Sequence, residues 1–491
     1  MPAIEAPSRS AAVAIPMSAL AAALAVGWGV IQGVLLPRGP FTAVEAIVTA
    51  SLSASIGLAA GWLSKSRLAV PLTPLLFAVA FEAARWATLG AYAIWPKQST
   101  YGLVMLVTGR GVHGVFTLLP LALGALFGLV SLGAAARRRD AAAWAGRIVG
   151  AGGLAVLLFV CAVIMAPART APIVGADGHE LPGSIAELTT VPANGHELAL
   201  LIRGRSTSAP VVLFLAGGPG GSEMGAMTAD VSLEQHAIVA TWDQRGAGKS
   251  YAELDPVSTL TLEGAVADTI AVTEYLRSRF GVEKVYLVGQ SWGTLLGVLA
   301  AKERPDLYHA FVGTGQMVSI PETDRRFYDD TLAWARATGR DDLERDLVRN
   351  GPPPYADLFS YEDALAHEHK VYPYDHSRGA EGQGGFSEHL FAQEYTPLER
   401  VHNLAAFLDT FAVLYPQLQD IDLRRDAAAL DVPVVLIQGR NEAPGRAEPA
   451  REWFDALRAP SKEWIELDVS GHRPIFQQPG EFARAFAEKV L

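Results

Sequence analysis

Val285-Tyr286-Leu287-Val288-Gly289-Gln290-Ser291-Trp292-Gly293-Thr294 joins an apolar strand over 285–288 to a helix over 294–302 through a turn flanked by glycines. Short apolar runs bounded by glycine read as buried strands. A serine on a tight strand-to-helix turn projects its hydroxyl clear of the backbone. Small residues two before and two after let neighbouring chains approach that turn. The stretch therefore predicts an α/β architecture and makes Ser291 a candidate nucleophile.

Working outward, 197–203, 211–215, 237–242, 311–312, 432–437 and 464–467 read as further short strands, and 262–280 has helical periodicity. Strands apolar on both sides fit a mostly parallel sheet covered on both faces. Between about 322 and 425 the pattern turns helical and irregular, with Gly351-Pro352-Pro353-Pro354 as punctuation, and reads as a helical cap over the sheet. Residues 167–185, rich in Pro, Gly and Ala, read as a linker into a domain spanning 186–491. No internal repeat is evident.

A serine hydroxyl is a weak nucleophile until a base takes its proton and a third group orients that base. In this architecture the chain order is serine, acid, histidine. His472, in Ser470-Gly471-His472 just past the strand over 464–467, is the expected base. Glu442, in the loop after the strand over 432–437, is the expected acid; Glu448 and Asp468 are the alternatives. An oxyanion needs N–H donors already in place. The backbone amide of Trp292 is one candidate. The other is Gly217 or Gly218, in the loop Ala216-Gly217-Gly218-Pro219-Gly220-Gly221.

The first 166 residues are different in kind. Apolar runs at 11–36, 41–63, 70–95, 112–133 and 147–166 each approach the roughly 20 residues that cross about 30 Å of hydrocarbon. Residues 1–170 hold 12 Lys+Arg and 4 Asp+Glu, a net +8, whereas the remainder holds 28 and 47, a net −19. A basic apolar front and an acidic back suit lipid and water in turn. With the N-terminus inside, the cytoplasmic loops receive Arg9, Lys65, Arg67, Arg137, Arg138, Arg139 and Arg147, against Arg38, Lys97 and Arg169 outside. That bias predicts a multi-pass protein of the cell membrane whose C-terminal domain is extracytoplasmic. Within the spans, Glu82 and Arg85 share a helix face and read as a structural ion pair near His113, with Arg110 reaching to the interface.

Several classes are excluded. The single cysteine, Cys161, rules out a disulfide scaffold or thiolate zinc cluster within the chain. An acidic soluble half lacks the basic footprint that nucleic acid requires. Gly248-Lys249-Ser250 resembles the end of a phosphate-binding loop, but Asp243 stands where its first glycine belongs. His367, His369 and His376 match no familiar zinc spacing.

Together, Gly217-Gly218-Pro219-Gly220, the run Asp243-Gln244-Arg245-Gly246-Ala247-Gly248-Lys249-Ser250, the Ser291-Trp292-Gly293 turn and Gly471-His472 resemble the α/β-hydrolase superfamily, and within it the prolyl aminopeptidases, over about 185–491. The resemblance implies serine-dependent release of an N-terminal residue from a peptide without metal or cofactor. Ala216 stands where that family usually has histidine, and Glu442 where it usually has aspartate. The acidic cap residues that hold a substrate's free amine there have no match in this sequence. The expectation is a membrane-anchored serine hydrolase acting on small peptides through an acyl-enzyme and a Ser291-His472-Glu442 triad. The alternatives are an esterase or lipase on amphiphilic esters near the bilayer, or a non-catalytic ligand-binding membrane protein.

Overall fold

The computed structural model describes residues 17–95, 97–132, 141–372 and 391–491. The start of the first predicted span, Arg9, the Arg137-Arg138-Arg139 block and His376 lie outside the described residues. The chain forms two compact units: Met1–Ile94 with Gly109–Met165, and Trp95–Thr108 with Ala166–Leu491.

Five helical runs among the described residues are long and apolar enough to cross a membrane: Ser18–Leu35, Ala43–Ser64, Ala69–Tyr92, Thr100–Leu132 and Trp144–Ile164. The fourth starts at Thr100 rather than at 112. Gly109-Arg110-Gly111 breaks the hydropathy but not the helix, which passes through it as the π-helical segment Leu106–Gly111. Small residues let the backbones of these helices touch. A Cβ on Gly57 would lie 2.2 Å from the Leu121 carbonyl oxygen, and one on Gly124 would lie 2.2 Å from that of Ala54. Gly29 and Gly33 meet the carbonyls of Phe77 and Phe81 in the same way. The ionisable residues form a network rather than the expected pair. Glu82 lies 2.8 Å from Arg110 and 3.5 Å from Arg85, and Arg85 Nε donates to the Pro37 carbonyl at 2.9 Å. Arg110 thus meets a carboxylate and the Ile94 carbonyl (3.2 Å). A charge in an apolar bundle is better met by an opposite charge than by a long reach.

The second unit is built on one eight-stranded sheet among the described residues, in the order β1-β2-β4-β3-β5-β6-β7-β8. The strands are β1 (Ile185–Ala193), β2 (His196–Gly204), β3 (Val211–Leu215), β4 (Ile238–Trp242), β5 (Val285–Gln290), β6 (Tyr308–Thr314), β7 (Val434–Gly439) and β8 (Lys462–Leu467). From β4 to β8 neighbours run parallel, while β1, β2 and β4 pair antiparallel. Every residue of β3, β4 and β7 is buried, as strands covered on both faces should be. The strand β1 was not expected. It forms a hairpin with β2 through Asn194-Gly195, both at positive φ, the conformation of a two-residue turn matched to strand twist. Between β6 and β7 come the helices Ile320–Ala337, Asp341–Asn350, Leu358–Leu365 and Pro397–Leu414, with shorter turns between them. Residues Trp95–Thr108 belong to this unit. Lys97 pairs with Asp357 at 3.1 Å, and the Tyr101 amide donates to Glu362 Oε1 at 3.0 Å.

Candidate active site

The turn after β5 holds Ser291 at φ 53°, ψ −121°, a backbone conformation that side chains other than glycine rarely adopt. The flanking glycines are needed sterically. A Cβ on Gly289 would stand 2.4 Å from the Gly293 carbonyl oxygen, and one on Gly293 would stand 2.1 Å from that of Leu215. The Ser291 amide donates to the Thr314 carbonyl on β6 at 3.1 Å, tying the turn to the sheet. Two neighbouring strands therefore hold the hydroxyl where it is.

His472 lies beyond β8, and its Nε2 is 2.9 Å from Ser291 Oγ. On the far side of the ring, Nδ1 is 2.6 Å from Glu442 Oε2. The carboxylate's other oxygen accepts from the Ala443 amide at 2.8 Å and from Arg446 Nε at 3.0 Å. Burial alone would raise the Glu442 pKa; Arg446 and His472 together outweigh it and hold it down to about 2. Ser291, His472 and Glu442 are thus in one hydrogen-bonded line. The alternative acids point elsewhere: Glu448 to Arg326 at 2.5 Å, and Asp468 to Gln478 at 3.1 Å.

Gly217 lies beside the serine, with a Cβ placed on it falling 3.4 Å from Ser291 Cβ. Its amide donates to Glu223 Oε2 at the long distance of 3.4 Å, and Glu223 in turn meets Arg473 at 3.4 Å. Gly218 borders the same cavity. Trp292 is the first residue of helix Trp292–Glu303, so its N–H has no acceptor within the helix. Gln244 ties the two loops together, taking the Trp292 indole N–H at 2.8 Å and donating to the Ala216 carbonyl at 3.2 Å.

Next to Ser291 is a cavity of about 550 Å³. Its walls are largely aromatic and aliphatic, with Phe327, Leu365, Phe407 and Phe411 from the cap. Tyr101, Arg400, Asn403 and Arg446 also line it. None of these four was foreseen. Arg446, four residues after Glu442, could have been found from its spacing; the others come from segments with no motif. His367 packs against Trp334, its pKa lowered to about 4 by burial, and no cluster of metal-ligating side chains occurs among the described residues.

Residues 210–479 match the sequence profile of the alpha/beta hydrolase fold, and the chain belongs to that family. It is a serine hydrolase. A protein from Bacillus subtilis (strain 168) named probable aminopeptidase YbaC is 28% identical over 317 residues, covering 62% of this chain and 96% of its own length. The proline iminopeptidase of Xanthomonas citri is 28% identical over 275 residues, covering 53% and 82%. Among solved structures, the proline iminopeptidase of Mycobacterium smegmatis superposes with a TM-score of 0.46 at 21% identity, covering 62% of this chain and 97% of its own.

Proposed function

We propose that the chain is a membrane-anchored serine peptidase that releases N-terminal residues from small peptides through an acyl-enzyme. The observation that carries the reading is the line Ser291–His472–Glu442, at 2.9 and 2.6 Å. Ser291 Oγ attacks the scissile carbonyl carbon while its proton passes to His472 Nε2. Glu442, ionised at any physiological pH, holds the ring by Nδ1–H and stabilises the imidazolium. The developing oxyanion is met by the Trp292 amide, at the positive end of its helix, and by an amide of the Gly217-Gly218 loop. His472 then gives the proton to the leaving nitrogen as the C–N bond breaks, and water, deprotonated by the same ring, releases the acyl group. The names of the aminopeptidase relatives support an amide substrate. No metal or cofactor has a part in the scheme.

The five apolar helices and the loop charges favour a multi-pass anchor in the cell membrane with the catalytic domain outside the cytoplasm; accessibility of that domain to protease in intact cells tests this. A panel of aminoacyl p-nitroanilides and acyl esters, with Ser291→Ala as control, tests the activity. Turnover that requires a free amine and disappears in the variant supports the aminopeptidase. Faster turnover of blocked esters transfers the reading to an esterase.

A further inference from the structure

Helix Pro397–Leu414 presents one stripe to the cavity: Arg400, Asn403, Leu404, Phe407 and Phe411. Its apolar part lies at the glycine loop, since a Cβ on Gly220 would stand 2.9 Å from the Phe407 carbonyl oxygen. Its polar part, one to two turns away, holds an unpartnered carboxamide and a guanidinium that meets no carboxylate among the described residues. Asn403 is only 6% exposed, yet neither its Oδ1 nor its Nδ2 has a hydrogen-bond partner among the described residues. A buried carboxamide left so is destabilising unless something else fills its needs. Arg400 donates through Nε to the Tyr395 carbonyl at 3.0 Å, and no carboxylate meets its guanidinium among the described residues. The other charges on the lining are matched: Arg446 with Glu442 and Glu368, and Arg473 with Glu223.

Resting on the peptidase reading above, we infer that Asn403 and Arg400 receive the carboxyl end of a short peptide. The Asn403 carboxamide offers one donor and one acceptor face, the complement of a main-chain amide. Arg400 offers a planar fork for a terminal carboxylate. An aminopeptidase expels the C-terminal portion of its substrate, so this end belongs to the leaving group. Seven residues of helix from Phe407 to Arg400 span about 10 Å, and an extended peptide advances about 3.4 Å per residue. The leaving portion is therefore two or three residues long, and the substrates are tripeptides and tetrapeptides with a free carboxyl terminus.

The test uses the full chain in detergent, a tripeptide, its C-terminal amide and an aminoacyl p-nitroanilide. The wild type is expected to cleave the free acid with kcat/KM at least about tenfold above the amide, the difference lying in KM, which is the scale of a charged hydrogen bond. Arg400→Gln brings the ratio near one, Arg400→Lys keeps part of it, and Asn403→Leu raises KM for both peptides. Fluorophosphonate labelling of Ser291 reports that each variant is folded. Calorimetry with Ser291→Ala gives an independent reading, with the free acid binding at least about tenfold tighter than the amide. A ratio near one in the wild type, or one unchanged in a labelled Arg400→Gln protein, overturns this inference while anilide cleavage leaves the peptidase reading standing. Cleavage of neither peptide nor anilide by a protein that still takes the label overturns both.

Discussion

Arg446 Nε lies 3.0 Å from Glu442 Oε1, so the carboxylate whose Oε2 lies 2.6 Å from His472 Nδ1 is gripped from behind through its other oxygen. Both groups are buried. Arg446 also reaches Glu368 of the cap and lies over the Phe327 ring, 4.7 Å from its centroid. A glutamate has one more rotatable bond than an aspartate, and this second grip removes the freedom that bond would add.

Arg446→Met is therefore expected to lower kcat/KM at least about tenfold and to move the acid limb of the pH profile upward. Without the guanidinium, burial raises the Glu442 pKa from its present value of about 2. Arg446→Lys should recover part of both. An unchanged pH profile in a folded Arg446→Met protein would remove the role assigned here.

Glu442→Gln is expected to cost about 10³–10⁴ in kcat, because the amide can no longer hold the imidazolium or its tautomer. Glu448→Gln and Asp468→Asn should stay within about twofold, since those carboxylates face Arg326 and Gln478. Steady-state kinetics on all three decides among the acids.

Asp324 is buried under the Tyr415 hydroxyl (2.5 Å) and the Gln419 amide (3.1 Å), and burial lifts its pKa from 3.8 to about 7. A raised carboxyl pKa favours folding below the unfolded value and loses that contribution as pH rises through the folded one. Relative to Asp324→Asn, the wild type should thus lose Tm steadily between about pH 4 and 7, and the gap should be flat above it. Paired melting curves across that range measure this; a constant gap throughout would contradict it.

In the helical unit, Gly57→Leu should lower Tm in detergent by an amount matching about 1–3 kcal/mol or more of overpacking, because its side chain would have to displace the Leu121 backbone. Gly152→Leu, whose would-be Cβ meets nothing from other segments within 4 Å among the described residues, should be near neutral. Equal effects would argue against close packing of those helices.

The α/β architecture and the line of Ser291, His472 and Glu442 could be read from the sequence because each depends on local grammar: apolar runs, glycine spacing, and position after a strand. The strand β1 was missed although Asn194-Gly195 signals a hairpin, because its mixed residues lie at the sheet edge and lack the apolar run that marks the interior strands. The early start of the fourth apolar helix was hidden by Arg110, whose charge is met by Glu82, a residue from a different helix. Tyr101, Arg400 and Asn403 reach the cavity only through tertiary packing. A tyrosine at 101 and a residue at 403 have no sequence relationship that would announce a shared wall.

The reactivity of Ser291 is tested most directly by treating the full chain with a fluorophosphonate and mapping the adduct by mass spectrometry. The expected result is a single phosphonylated residue, Ser291, with labelling slowed sharply in Glu442→Gln and abolished in Ser291→Ala. An adduct elsewhere, or none on a folded protein that cleaves peptides, would contradict the assignment of this serine as the nucleophile.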